Sequence, residues 1–145
     1  MLLPMRKTIL LSLLLCVACP AGSDWGTELS REFGDTQATM FHSASVDAEL
    51  AGKVLDAMVA ANYNFYSDLP EQLDRVDGRL VLRLGNDNEE SLTEVLDEGE
   101  ESGVVSYMHG LAWQVSQAAG GEPVDVALCR KTLDDEVYTV VWTEQ

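Results

Sequence analysis

The sequence predicts a small α+β domain of ferredoxin-like order, β-α-β-β-α-β with an extra C-terminal strand. Two helices are expected on one face of an antiparallel sheet. Three observations carry this reading. Residues 45–61 and 104–119 repeat apolar side chains at three- and four-residue steps, the helical period. Residues 71–84 alternate on either side of Asp77-Gly78, the mark of a hairpin. Residues 123–129 and 136–143 alternate or are rich in β-branched and aromatic residues, as strands are.

The first strand is read in "TMFHS", 39–43. In the helix after it, Ser45 is placed to cap, and Asp47 and Glu49 lie where the helix dipole favours anions. Val46, Leu50, Val54, Leu55, Met58 and Val59 form its apolar stripe, and Asn62 and Asn64 suit its exit. Asp-Gly favours a two-residue type I′ turn, because both central residues need positive φ. That turn sets Val76 opposite Arg79, Asp74 opposite Val81 and Leu73 opposite Leu82. Leu73, Leu80, Leu82 and Leu84 then share the buried face. Gln72, Asp74, Arg79, Val81 and Arg83 share the wet one.

The segment from Asp87 to Glu101 holds eight acids and no base. A helix start near Glu89 and one after Gly103 are both open, since glycines 99 and 103 each weaken a continuous helix by roughly 1 kcal/mol relative to alanine. Val104, Met108, Leu111, Val115 and Ala118 make the second stripe, and Gly120-Gly121 ends it. In the next strand Val124, Val126 and Leu128 alternate with Asp125, Ala127 and Cys129. "DGRLVLRL", the long second helix and "GEPVDVALC" together resemble an uncharacterised domain of predicted exported bacterial proteins, over roughly residues 40–141. The resemblance implies the order of elements and an extracytoplasmic setting, and no activity. The acidic segment around 87–101 looks enlarged beside it.

The N-terminus points the same way. Arg6 and Lys7 precede an apolar run, Ile9 to Ala18, and small residues follow at Ala18, Ala21, Gly22 and Ser23. This is the pattern of a secretory signal peptide, and the run is about half of the roughly 20 residues a membrane-spanning helix needs. Residues 1–21 are therefore read as signal peptide, 22–38 as a tether and 39–145 as one domain. Cleavage after Ala21 or Ser23 satisfies the small-residue rule. Cys16-Val17-Ala18-Cys19 also resembles a lipobox, departing at Cys16 where leucine is usual, so Cys19 is a candidate for lipidation.

Composition excludes some functions. All 25 acidic residues follow the leader and seven of the nine basic ones do, so the exported part carries 7 − 25 = −18. Such a surface repels phosphate backbones, and nucleic acid is excluded as a partner. Contact with a membrane is expected only through a lipid on Cys19. No cofactor or metal is expected. No Cys/His cluster has zinc spacing, and an EF-hand alignment from Asn86 lacks both the glycine and the final glutamate.

The sharpest candidate chemistry is on the wet sheet face. In the ferredoxin-like order the first strand lies between the third and fourth. With Phe41 inward, His42 faces the open side, where Cys129 and Arg83 join it. A thiol beside an imidazole and a guanidinium is activated as a nucleophile, which makes a thiol-dependent enzyme one expectation. Against it, no third group orients the pair, and a free cysteine is more often a small buried residue. Arg79 and Arg83 suit an anion such as a carboxylate, or a pairing with Asp74 across the hairpin. "NYNFYSDLP" holds Tyr63, Phe65 and Tyr66, either closing the core or forming a partner patch. No G-x-S-x-G occurs. The chain so read is a small exported binding or accessory module of the cell envelope, periplasmic or extracellular. The alternatives are the thiol enzyme and a structural subunit of an envelope complex.

Overall fold

The computed structural model describes residues 25–66 and 68–144. The signal-peptide reading of 1–21 and the candidate lipid site Cys19 lie outside the described residues.

Among the described residues six strands and three helices follow one another as a β-hairpin, a helix, a second hairpin, two helices and a third hairpin. They are β1 (Thr27–Phe33), β2 (Thr36–His42), α1 (Ala48–Ala60), β3 (Glu71–Val76), β4 (Arg79–Asn86), α2 (Glu89–Glu98), α3 (Gly103–Ala118), β5 (Val124–Arg130) and β6 (Glu136–Val140). The sheet runs β1-β2-β3-β4-β5-β6, in chain order. Hairpin partners are antiparallel, while β2–β3 and β4–β5 are parallel, as helical crossovers require.

The ferredoxin-like order is therefore corrected to a mixed sheet in an α+β fold with three helices. The cause is β1. Residues 27–38, read as tether, build β1 and the start of β2. Phe33 pairs with Thr36 across a two-residue turn whose first residue, Gly34, has φ 59°. With β1 on one edge, β2 has room for one more neighbour and cannot lie between β4 and β5. It takes β3.

The central hairpin matches the sequence reading. Asp77 and Gly78 have φ 50° and 80°, and Val76–Arg79, Asp74–Val81 and Leu73–Leu82 are partners. Leu73, Leu80, Leu82 and Leu84 are buried on the helix face. Each fully buried leucine contributes roughly 1.5–3 kcal/mol. They meet Val54, Leu55 and Met58 of α1, and Val105, Met108, Leu111 and Val115 of α3, in one core.

Helix boundaries moved where caps compete. Asp47, not Ser45, caps α1, accepting from the Leu50 amide at 2.8 Å. The Ser45 hydroxyl turns to Asp74 instead. Asn62 leaves α1 at φ 54°, with the Tyr63 amide donating to the Met58 carbonyl. The acidic segment is α2, capped by Asn88. It is separated from α3 by a short 3₁₀ turn at Gly99–Glu101 and a fresh cap at Ser102. Its acids lie mostly on the solvent side, while Leu92 and Val95 reach the core.

Candidate functional site

Among the described residues all helices cover one face of the sheet and none lies on the other. On that face stand Glu28, Ser30 and Glu32 of β1, Gln37, Thr39 and Phe41 of β2, and Gln72 and Asp74 of β3. Arg79, Val81 and Arg83 of β4 and Asp125, Ala127 and Cys129 of β5 continue it. It is not evenly open. Trp25, just before β1, folds across it. The Trp25 carbonyl accepts from the Gln72 side-chain Nε2 at 2.8 Å, and its ring meets Phe41 edge-on at 5.4 Å. From the other side Leu133, in the β5–β6 turn, folds down at φ 62°, a backbone conformation a leucine holds only when its surroundings fix it. Trp25, Leu133, Val81, Ala127 and Cys129 make a second, small apolar cluster.

Cys129 is thus sealed: its accessible surface is 0 %. Burial, with the nearby Glu136 charge adding to it, pushes its thiol up to about 11. His42 is on the opposite face of the sheet. It follows Ala38 and Met40 in the inward alternation, and its Nδ1 lies 2.9 Å from the Val46 carbonyl oxygen. That contact puts the proton on Nδ1 and leaves Nε2 buried without a partner. The expected His42–Cys129 pair does not form, because Phe41, not His42, takes the open side beneath Trp25. In the native chain, Cys129 is expected to react with thiol reagents at pH 8 roughly a hundredfold more slowly than in denaturant. Peptide mapping isolates this from labelling at Cys16 and Cys19. Equal rates would show that the Trp25–Leu133 cover is not in place.

The two arginines are paired. Arg83 donates through Nη1 to Asp74 at 2.7 Å and to Gln72 at 2.8 Å. Arg79 does not reach Asp74. It forms a two-bond fork with Asp125 of β5, at 2.9 and 2.7 Å, and the Trp142 amide adds a third bond to that carboxylate. The register explains the change of partner: Val81 is opposite Asp125, so Arg79 lies diagonal to it on the same face. The Arg79 fork holds the Asp125 carboxyl below the usual carboxylate range, against its partial burial. For Asp74, burial raises the pKa. Hydrogen bonds from the serine side chain beside it, from Arg83 and from the Arg75 amide outweigh that and lower it. An anion at Arg79 or Arg83 would have to displace a carboxylate already in place.

Trp25 divides what remains into two grooves. The smaller, about 630 Å³, runs past Arg83 and Asp74 to Asp134 and Glu136. The larger, about 1030 Å³, lies over β1, β2 and the loop after α1. Glu28, Glu32, Asp35 and Asp68 line it with the aromatic residues Trp25, Phe41, Phe65 and Tyr66, and among the described residues no lysine or arginine does. The aromatic loop supplies both core and groove. Tyr63 is buried. Phe65 is half-buried and stacks edge-on with Tyr63 at 4.9 Å and Phe33 at 5.9 Å, while Tyr66 is exposed. Glu28, Glu32 and Asp35 were not singled out from sequence, because they lie in the stretch read as tether. Their signal was the Gly34-Asp35 turn between two alternating runs.

Among the described residues no group of three or more His, Cys, Asp or Glu side chains is arranged to hold a metal ion, and no helix is long and apolar enough to cross a membrane. Comparison with known proteins finds no matching family model, no matching curated protein and no matching solved structure.

Proposed function

We propose that the protein is a binding or accessory module of the cell envelope whose sheet face opposite the described helices receives a basic partner. The envelope setting rests on the charged-then-apolar leader, Arg6 to Ala18. The observation that carries the binding role is the larger groove. Four carboxylates and four aromatic residues line it, with no cation among the described residues there. An ammonium or guanidinium group is attracted to both kinds of wall, by charge and by the face of the rings. The net charge of −16 draws such a partner in from a distance and repels anionic ones.

Calorimetric titration of the full-length chain with a lysine-rich and a glutamate-rich peptide of equal length tests this. The lysine peptide is expected to bind and the glutamate peptide not to. The double variant Glu32→Lys/Asp35→Lys should weaken binding about tenfold or more. Asp97→Lys/Glu98→Lys makes the same change in net charge on exposed positions of α2 and should leave affinity within about twofold. Equal losses in the two double variants would mean that overall charge, not the groove, governs binding.

A further inference from the structure

The sheet has two edges, and they differ. At one end β6 is five residues long, and its pairing with β5 shifts register between Leu128 and Cys129, the kind of irregularity that blunts an edge. At the other end β1 is seven residues long and pairs with β2 in unbroken register from Thr27–His42 to Phe33–Thr36. Among the described residues no strand covers its outer side. In a hairpin with a two-residue turn, the residues flanking the turn form a hydrogen-bonded pair, and bonding alternates from there. Phe33, Arg31, Leu29 and Thr27 therefore direct their backbone groups to β2. Glu32, Ser30 and Glu28 direct theirs outward.

We propose that the outer edge of β1 accepts an extended basic peptide as a seventh strand, with basic residues four positions apart set against Glu28 and Glu32. This deepens, and rests on, the reading of the face as a site for a basic partner. Residues directly opposite in a sheet share a face. Side chains of the added strand across from Glu28 and Glu32 therefore enter the mouth of the larger groove, which those two glutamates line. Those across from Leu29 and Phe33 lie on the helix side, where both residues pack at the margin of the core. The partner pattern is thus alternating, basic or polar on one side and apolar on the other.

A second copy of this chain is the competing occupant, and the sequence of β1 disfavours it. Antiparallel self-pairing centred on Ser30 places Glu28 against Glu32 twice. Centred on Arg31, it places two arginines side by side. A basic strand turns the same glutamates into attractive pairs.

The test uses the full-length chain and the synthetic peptide Val-Lys-Val-Thr-Val-Lys-Val. A copy N-methylated on alternate amides keeps charge and composition but cannot donate along one edge. The unmodified peptide is expected to bind, and at least one of the two possible alternate methylation patterns should weaken it about tenfold or more. Ser30→Pro should weaken it similarly, since it removes an outward donor and leaves the β1–β2 ladder intact. The methylated peptides judge the unmutated protein, so an unfolded Ser30→Pro chain does not rescue or sink the idea. If both methylated forms bind as well as the parent peptide, strand addition is overturned while the groove stands. If neither this peptide nor the lysine-rich one binds, both readings fall. Peptide-free dimerisation in sedimentation, lost in Ser30→Pro, would overturn the proposal by making a second copy the occupant.

Discussion

Glu71→Gln is expected to flatten the pH dependence of stability and to leave the domain more stable at pH 8 than the parent chain. Glu71 starts β3 on the helix face, 2 % exposed, where the Tyr63 hydroxyl donates to its Oε1 at 3.1 Å. Among the described residues no lysine or arginine pairs with it. Burial pushes its pKa from 4.5 to about 8, with the Tyr63 hydrogen bond pulling the other way. Between those values the folded chain holds a proton that the unfolded chain has released. The stability linked to this group is full below about pH 4.5, falls as pH rises, and is gone once pH passes about 8. The slope is about 1.4 kcal/mol per pH unit, which amounts to several kcal/mol across the window. Glutamine keeps the size and the acceptor for Tyr63 and removes the proton from the balance. Urea midpoints at three pH values across that window, for parent and variant, measure the difference. Parallel curves would show that Glu71 is not held neutral. Asp74 and Asp125 act with the opposite sign. Their lowered pKa values contribute stability above the unfolded aspartate value of 3.8, and it is lost as pH falls through their folded values.

Gly26→Ala is expected to release Trp25 from the sheet. Gly26 has φ 105°, and a Cβ there would stand 2.1 Å from the His42 carbonyl oxygen, which is backbone and cannot swing aside. Strain and overlap together should destabilise the entry to β1 by roughly 2–5 kcal/mol. Because Trp25 covers Cys129 and divides the two grooves, the variant should expose the thiol and merge the grooves. Trp25→Ala removes the cover without touching the backbone. The two variants are expected to label at Cys129 at similar, raised rates, with Gly26→Ala showing the larger fall in the urea midpoint. A thiol as protected as in the parent would mean that Trp25 does not depend on Gly26 for its place.

What could be read from the residues alone was whatever local chemistry decides. Asp77-Gly78 dictated a turn, the turn dictated a register, and the leucines of β3 and β4 followed onto one face. The helical stripes of α1 and α3 were equally visible. In α3 Val105 is fully buried and Val104 packs beside it at the margin of the core. β1 was missed because an edge strand packed on one side carries a weak pattern. Only Leu29 and Phe33 are apolar in it, among Glu, Ser and Arg. That single omission produced the wrong strand order and hid three of the four carboxylates of the groove. Phenylalanine is the more apolar of the Phe41-His42 pair, so the sequence alone favours Phe41 inward and His42 outward. The Val46 carbonyl inside and the Trp25 ring outside reversed the preference. Glu71 gave no sign of burial, since its surroundings come from Tyr63 and the strands beside it.

The order of strands across the sheet has a kinetic consequence. Each strand lies beside the one made just before it, so no segment has to be threaded between two already joined. Assembly can begin at any of the three hairpins and spread outward, the longest closure being the two-helix crossover from β4 to β5. A polypeptide delivered end-first can set each piece against the last as it arrives, without waiting for its far terminus.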